Sequence, residues 1–348
     1  MTARSPRRRI TNLAIVVVLG IALGVGGYAA LQVVSAPGPR AAPGWALLAE
    51  MPEPRGETAG AVAGDRLHVI GGMSGVAAQA SATVSVYDPV VDAWAAGPAL
   101  PEPRHHAAAV GLDGAVYLSG GAASVTDGTP RAEVWMLPAR APAWLDVAPM
   151  PDGRFGHRMI ALDGRLYVVG GVPGVDARTG ASGLVEVPTL IYDPDANAWS
   201  EGAPLPINRD HLTVVAVGAE VWAIGGRAGG LNHQRVDIYD PSADEWRDGP
   251  PLPEGTSGAS EAVVDGVILV SGGEDPSAGR IVDRHWRLDT RADATATWQP
   301  LSPPPLTVHG APGAELAGRF ILVSGSPRPG GQSSTAWTGA TQVLEAAP

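Results

Sequence analysis

The side chains with the clearest chemical potential are arginines that recur at one position of a repeated pattern. Four of them follow a Met-Pro or Leu-Pro pair by a few residues: Arg55, Arg104, Arg154 and Arg209. A guanidinium group binds a carboxylate or phosphate through two parallel hydrogen bonds. If the repeats close around an axis, we predict that these arginines form a positively charged mouth for an acidic ligand. In the alternative, each arginine only ties neighbouring repeats together by hydrogen bonds.

The last two repeats have Thr256 and Thr307 at the position of the repeated arginines. Two residues after this position, four of the repeats have a titratable side chain. These side chains are Glu57, His106, His211 and His309. We expect them to pack against neighbouring repeats. The eight histidines show no spacing typical of metal ligands, so we predict no metal site and no cofactor.

The composition excludes several kinds of chemistry. The chain has 348 residues and no cysteine, which excludes disulfides, thiolate metal sites and thiol nucleophiles. All 24 basic residues are arginines, which excludes lysine Schiff-base chemistry. The net charge of −11 argues against a nucleic-acid partner. No Gly-x-Ser-x-Gly motif supports a serine hydrolase.

Two independent markers recur with a period near 50 residues, which indicates internal repeats. Gly-Gly occurs five times, at residues 71–72, 120–121, 170–171, 225–226 and 272–273. Ser324-Gly325 is a degenerate sixth copy. Tryptophan occurs at the matching positions 45, 94, 144, 199, 246 and 298.

Each period contains four short apolar segments separated by turn residues. Asp113-Gly114 and Asp163-Gly164 lie between the first two segments and are typical of tight β-hairpins. The second segment ends at Gly-Gly, the third contains a tyrosine in three repeats, and the fourth contains the tryptophan. Four such strands form one antiparallel sheet, which must pack against neighbouring sheets to bury both of its faces.

This pattern resembles the kelch repeat, and the resemblance extends over about residues 45–346. It implies an all-β, six-bladed kelch-type β-propeller. The strand at Trp45 has no partners before it, and the last repeat ends after its third strand, at residues 341–345. We therefore predict that the N-terminal strand completes the sixth blade, which removes an exposed sheet edge.

The loops that vary in length all open on one face of such a propeller, so we expect function there. The long loop of the last repeat contains Trp337, which either stacks on a sugar ring or covers a blade. The galactose oxidases share the kelch fold, but their copper site needs a Tyr–Cys cross-link. The absence of cysteine excludes that activity.

The segment after the fifth Gly-Gly, Gly-Glu-Asp-Pro-Ser-Ala-Gly-Arg, resembles the active-site segment of the N-acetylneuraminate epimerases, which are sialic acid mutarotases. The resemblance implies that Glu274 is the acid/base and that Arg280 holds the carboxylate of the sugar. A carboxylate can move a proton between the ring oxygen and the anomeric hydroxyl. In the alternative, Glu274 and Arg280 form an exposed salt bridge of little energetic value.

The N-terminal region predicts a membrane anchor. Residues 1–12 form a basic tail, and residues 13–34 contain no charged residue. A helix of that length spans about 33 Å, enough to cross a bilayer core of about 30 Å. The arginines before it predict a cytoplasmic N-terminus and a periplasmic or extracellular body. The alternative is a cleaved signal peptide. Residues 35–44 then form a Pro/Gly/Ala linker, followed by the propeller at residues 45–348.

Three hypotheses for function remain open on the sequence. The first is a binding module for an acidic small molecule, glycan, peptide or protein segment at the arginine-lined mouth. The second is a sugar mutarotase that uses Glu274 and Arg280. The third is a structural partner in an envelope complex. The fold alone does not choose among them.

Overall fold

The structure is a computed structural model that describes residues 37–75, 77–174, 185–292, 296–330 and 337–345. The predicted tail and anchor, residues 1–34, lie outside the described residues. Within the described residues, no helix is both long enough and apolar enough to cross a membrane. The regular elements bounded there are β-strands, so the predicted all-β fold is confirmed.

Among the described residues, the structure has six four-stranded antiparallel sheets, which we number in chain order. From the inner to the outer strand, sheets 1 to 3 contain Ala59–Ala63, Arg66–Ile70, Val84–Asp88 and Ala93–Ala96; Ala108–Leu112, Ala115–Ser119, Val134–Leu137 and Leu145–Val147; and Arg158–Leu162, Arg165–Val169, Thr189–Asp193 and Ala198–Gly202. Sheets 4 to 6 contain Thr213–Val217, Glu220–Ile224, Val236–Asp240 and Glu245–Asp248; Ser260–Val264, Val267–Ser271, His285–Asp289 and Gln299–Pro300; and Gly313–Leu316, Arg319–Val323, Thr341–Leu344 and Trp45–Leu48.

The outer strand of sheet 6 comes from the start of the described chain. Trp45–Leu48 pairs antiparallel with Thr341–Leu344, and Trp45 lies opposite Leu344. The innermost strands of the six sheets contact one another in a closed ring, because sheet 6 also contacts sheet 1. Apolar side chains from both neighbours fill the space between adjacent sheets, for example Val69 and Tyr87 of sheet 1 with Ile321 of sheet 6.

Short strand pairs outside these sheets cover the end of the ring at which the innermost strands begin. Four such pairs are Arg55–Gly56 with Met73–Ser74, Arg154–Phe155 with Val172–Pro173, Arg227–Ala228 with Leu231–Asn232, and Glu274–Asp275 with Arg280–Ile281. The first of them continues through Met73–Ser74 to Gln79–Ala80. In the first two pairs, the segment before an innermost strand meets the segment after Gly-Gly. The other two pairs are hairpins within the segment after Gly-Gly, and single bridges from Asp210 to Arg227 and from Ser257 to Glu274 join them to the segment before the innermost strand.

The repeated Asp-Gly, Gly-Gly and tryptophan residues form turns, close contacts and hydrogen bonds between sheets. Asp113 and Gly114 have φ angles of 51° and 77°, as a tight two-residue hairpin requires. A Cβ on Gly71 would lie 2.4 Å from the carbonyl oxygen of Arg104, so only glycine fits between these sheets. The indole of Trp94 donates to the carbonyl oxygen of Ala49 at 2.8 Å, which ties sheet 1 to sheet 6.

Candidate functional site

The four repeated arginines are buried, which corrects the prediction of a positively charged mouth. Each side chain is at most 1% exposed. The Arg55 guanidinium donates to the carbonyl oxygen of Thr83 at 2.7 Å and to the Ser85 hydroxyl at 2.8 Å, both in its own sheet. These groups therefore hold strands together and do not face an external ligand.

The other three arginines repeat this arrangement with local variations. Arg104 pairs with Glu102 at 2.5 Å and lies over the Trp135 ring, 4.4 Å from its centroid. Arg154 donates to the carbonyl oxygen of Pro188 at 3.0 Å. Arg209 donates to that of Gly225 at 2.6 Å and pairs with the fully buried Asp237 at 2.8 Å. The arginine side chains thus bond within their own repeats. Their backbone carbonyls do tie neighbouring repeats together, as the alternative had it, because that of Arg104 accepts the N–H of Gly72 at 2.7 Å and that of Arg154 accepts the N–H of Gly121 at 2.8 Å.

The residues two positions after the four arginines, and the equivalent residues of the last two repeats, meet around the axis. They are Glu57, His106, Gly156, His211, Gly258 and Gly310, which we call the axial ring, and all six have φ angles between 52° and 64°. Backbone N–H groups donate to the preceding member's carbonyl, from His106 to Glu57 at 3.1 Å and onward to Gly310, which donates to Gly258 at 3.0 Å. The ring holds its side chains at one end of the axis.

The register of the sixth repeat differs from the sequence prediction by one residue. Gly310, not His309, occupies the axial ring in sheet 6, and Val308 therefore takes the position that Thr307 was predicted to hold. His309 instead pairs with Ser326, as His105 pairs with Ala122 in sheet 2. A Cβ on Gly310 would lie 2.6 Å from Oε1 of Glu57, so the glycine leaves room for that carboxylate.

Glu57 lies among three imidazoles that come from three other sheets. Its Oε2 is 3.4 Å from Nε2 of His106 and 3.9 Å from Nε2 of His211, and its Oε1 is 3.4 Å from Nε2 of His309. All four side chains are buried or nearly so. The expectation that these residues only pack against neighbouring repeats misses this convergence.

Burial and neighbouring charges act in opposite directions on the pKa values of this cluster. Burial lowers the pKa of His309, but the neighbouring Glu57 carboxylate outweighs burial, so the pKa of His309 is raised. Burial likewise opposes ionisation of Glu57, yet the His106, His309 and His211 rings hold its pKa well below the usual range. Burial dominates at His106, where it lowers the pKa well below the ordinary value.

A second polar group adjoins the first and contains the predicted acid/base. Arg227 contacts Oδ1 of Asp210 at 2.7 Å and Oε1 of Glu274 at 3.2 Å. Asp210 also pairs with Nδ1 of His211 at 2.5 Å. Oε2 of Glu274 lies 3.6 Å from Nε2 of His309 and accepts the backbone N–H of Gly330 at 2.8 Å. Glu274 is thus buried and joined to the Glu57 cluster.

The Arg280 side chain, which the resemblance assigns to the sugar carboxylate, is bound to surface carboxylates. Its half-exposed guanidinium pairs with Glu254 at 2.7 Å and with Asp275 at 3.4 Å. Glu274 pairs with Arg227 instead, so the alternative of an exposed Glu274–Arg280 salt bridge does not hold.

Sequence reasoning missed Arg227 and Asp210, although a signal existed. Arg227 directly follows the fourth Gly-Gly just as Glu274 directly follows the fifth, and opposite charges at one register position of adjacent sheets predict a pair. Asp210 precedes the ring residue His211 and pairs in register with Arg227.

Trp337 lies on the same face and covers Gly56. A Cβ on Gly56 would lie 2.0 Å from Cζ3 of Trp337, so the ring rests directly on the glycine backbone. The indole Nε1 is buried and has no hydrogen-bond partner among the described residues. The half-buried ring thus covers the residue that precedes Glu57 in the chain.

The axis itself encloses a cavity of about 270 Å³ lined mostly by small apolar side chains of the innermost strands. Arg158 and Glu261 form its ionic contact, at 3.1 Å. Burial raises the pKa of Glu261, against the lowering effect of Arg158. The cavity lies beside the axial ring but offers few polar groups to a ligand.

A serine–histidine–aspartate arrangement occurs inside sheet 5. The hydroxyl of Ser271 is 2.8 Å from Nδ1 of His285, whose Nε2 lies 3.2 Å from Asp283. Ser271 is 2% exposed and lies within a strand, so a substrate cannot reach it. We assign this arrangement to packing.

A metal ion would find its ligands in the axial ring. Carboxylate and imidazole atoms of Glu57, His106 and His211 all lie within 4.8 Å of one another. These residues are 49 and 105 positions apart in the chain and belong to three sheets. No local sequence spacing could therefore indicate them as ligands, and the sequence analysis predicted no metal site.

Comparisons with known proteins agree on the repeat and the fold. Two models of the Kelch motif match residues 54–101, 208–253 and 153–206. Human Kelch-like protein 34 is 33% identical over 187 residues, which cover 52% of this chain but only 27% of that protein. The chain therefore spans about a quarter of the length of this relative.

A solved structure has the same fold with little sequence identity. The structure of YjhT superposes with a TM-score of 0.68 at 18% identity and covers 84% of this chain and 95% of that one. This likeness establishes the fold. Together with the sequence matches, it confirms the predicted kelch repeats and kelch propeller.

Proposed function

Because this chain carries kelch repeats, we propose that it is a six-bladed kelch propeller that acts as a binding module for an acidic ligand at the axial ring. The ligand is a glycan, a peptide or a protein segment that carries a carboxylate. In this proposal residues 13–34 anchor the propeller in a membrane and place it outside the cytoplasm.

One observation carries the proposal: charged side chains from sheets 1, 4 and 5 converge at one end of the axis, and Arg227 is the cation among them. Its side chain is 23% exposed, whereas the four repeated arginines are buried. Its partners Asp210 and Glu274 hold the guanidinium in place. A positioned arginine can bind a carboxylate with two hydrogen bonds at little further entropic cost.

The test is calorimetric titration of the full chain with N-acetylneuraminate and a panel of acidic glycans and peptides. We expect Arg227→Gln to weaken binding at least tenfold, because a charge-assisted hydrogen bond contributes about 1.5–3 kcal/mol. Arg280→Gln is the matched control, since Arg280 lies on the same face but points to Glu254. Equal affinities for the wild type and Arg227→Gln would contradict the proposal.

The second candidate function is a mutarotase of the N-acetylneuraminate type, and the geometry of Glu274 favours it. One oxygen of this buried carboxylate faces Arg227 and the other lies 3.6 Å from His309 Nε2. Glu274 would move the proton between the ring oxygen and the anomeric hydroxyl. Arg227, not Arg280, would hold the substrate carboxylate.

One-dimensional NMR of N-acetylneuraminate anomer exchange separates the two functions. A mutarotase accelerates exchange, and Glu274→Gln abolishes the acceleration while Glu254→Gln, on the exposed partner of Arg280, leaves it intact. A full chain that binds the sugar without accelerating exchange supports the binding module alone.

The membrane proposal has its own test. We expect the full chain to remain in the membrane fraction after alkaline extraction and to be released when residues 1–36 are deleted. Release of the full chain by alkali would contradict an integral anchor, and loss of the N-terminal residues during export would favour the cleaved signal peptide.

A further inference from the structure

We propose that Glu57, His106, His211 and His309 form a binding site for one divalent transition-metal ion of the Zn²⁺ class at the axial ring. The ion would join sheets 1, 2, 4 and 6 at the end of the axis. This inference is independent of the acidic ligand, because it concerns a metal ion held by the protein itself.

One carboxylate oxygen and two imidazole nitrogens lie close enough to be drawn onto one ion. Ligand atoms of Glu57, His106 and His211 lie within 4.8 Å of one another, and Oε2 of Glu57 is 3.4 Å from Nε2 of His106 and 3.9 Å from that of His211. With Zn–N and Zn–O distances of about 2.0–2.1 Å, neighbouring ligand atoms in a tetrahedron lie about 3.3 Å apart, so an ion would draw these atoms together. His309 lies on the other side of the carboxylate, with its Nε2 3.4 Å from Oε1 of Glu57.

Contacts at Nδ1 orient the three imidazole rings. Metal-binding histidines usually have the outer ring nitrogen held by a carboxylate, carbonyl or other polar group. Nδ1 of His211 pairs with Asp210 at 2.5 Å, and Nδ1 of His309 lies 3.2 Å from the carbonyl oxygen of Ser326. Nδ1 of His106 contacts Nδ1 of His105 at 2.5 Å. Nε2 of His106 and Nε2 of His309 each lie 3.4 Å from Glu57, and Nε2 of His211 lies 3.9 Å from Glu57 and 3.4 Å from Nη2 of Arg227.

Two further observations indicate a functional role for this cluster. Nε2 of His309 is completely buried and has no hydrogen-bond partner among the described residues, although it lies beside Glu57. Glu57, His106 and His211 adopt φ angles of 52–54°, a conformation unfavourable to residues with a Cβ, where sheets 3, 5 and 6 use glycine. Such strain clusters at functional sites.

The net formal charge of the surrounding side chains also favours a bound cation. The carboxylates of Glu57, Asp210 and Glu274 and the guanidinium of Arg227 adjoin one another, so with neutral imidazoles their sum is three negative charges and one positive charge, a net of −2. A divalent cation would neutralise this group. Nitrogen and carboxylate ligands favour Zn²⁺ over Ca²⁺ or Mg²⁺, which prefer all-oxygen sites.

The experiment uses the full chain after treatment with EDTA, titrated with Zn²⁺ alone. We expect one Zn²⁺ per chain by elemental analysis, and a melting temperature that rises by several degrees at saturating Zn²⁺ because the ion binds only the folded chain. The double variant His106→Gln/His211→Gln should lose the ion, while His233→Gln, on a half-buried imidazole outside the cluster, should retain it. Equal Zn²⁺ retention by the double variant and the wild type would overturn the proposal.

A second measurement needs no variant and so does not depend on variant folding. Co²⁺ in a tetrahedral site with imidazole ligands gives intense visible absorption, in contrast to hydrated Co²⁺. We expect this absorption to grow to one equivalent in the wild-type chain and to be displaced by Zn²⁺. A wild-type spectrum of hydrated Co²⁺ at every addition would overturn the proposal.

Discussion

Two positions of the repeat, two residues apart, behave in opposite ways. The arginine position repeats in four sheets, and its side chains turn into their own sheets and are buried. The axial-ring position varies among glutamate, histidine and glycine, and its side chains meet around the axis. In this protein the residue that most repeats share serves the scaffold, whereas the position that varies between repeats supplies the polar side chains of the candidate site.

Removing a buried arginine is the largest expected effect. Arg209→Met deletes a guanidinium that is fully buried against Asp237, so we expect the free energy of unfolding to fall by about 4 kcal/mol. Urea denaturation measures it. The matched control is Arg66→Met, on an exposed guanidinium paired with Asp88, which should change stability little. Equal losses in the two variants would break the distinction between scaffold and surface arginines.

We expect a buried imidazole of the scaffold, that of His157, to make the stability of the protein depend on pH. His157 follows the ring residue Gly156 but is buried beside Ser119, and burial, with the charges of Arg154 and Arg158, lowers its pKa to about 3 from 6.5. The unfolded chain therefore binds more protons between these values, and stability falls as the pH falls.

For this histidine, the loss between pH 6.5 and about pH 4 amounts to about 3 kcal/mol. Urea denaturation across that range should show a weaker pH dependence for His157→Gln than for the wild type. His233→Gln, on a less buried ring, is the control. A pH dependence that is identical in His157→Gln and the wild type would refute this assignment.

Glycine substitution tests the ring itself, with a smaller effect. Gly310 and Gly318 have φ angles of 61° and 74°, so alanine at either position pays the same conformational cost. The new Cβ of Gly310→Ala would also meet the Glu57 carboxylate at 2.6 Å, whereas that of Gly318→Ala meets nothing within 4 Å. We expect Gly310→Ala to lose about 1–2 kcal/mol more in thermal or urea unfolding.

The smallest effect is expected at Arg280, although the sequence placed it in the site. Its guanidinium is half exposed and bonds to Glu254 and Asp275, so Arg280→Ala should leave the melting temperature unchanged within error. Differential scanning calorimetry checks this. A large loss of stability would show that the exposed hairpin is part of the scaffold.

Much of the fold was predictable because each repeat carries its own local signals. Gly-Gly, Asp-Gly and the spaced tryptophans act within a few residues of their position, and the structure uses them for turns, close contacts and ties between sheets. The place of Glu274 at the start of the loop after Gly-Gly was predictable for the same reason, whereas its role as an acid/base stays a prediction. The pairing of the first and last strands followed from counting the strands of each repeat.

The site was less predictable, because its residues meet only when the ring closes. Counting from the prolines placed His309 on the axial ring, whereas backbone pairing places Gly310 there. The sequence could not show that the arginines turn inward, since a guanidinium is equally able to bind a ligand or backbone carbonyls.

The amino-acid sequence by itself determined the kelch repeats, the all-β fold and the face on which the variable loops lie, because short-range backbone preferences and hydrophobic periodicity encode these properties. Only the tertiary structure decided that Glu57 meets three imidazoles and that Arg227, not Arg280, faces Glu274. These contacts depend on distances between sheets, which arise from closure around a common axis and from which way each side chain turns there.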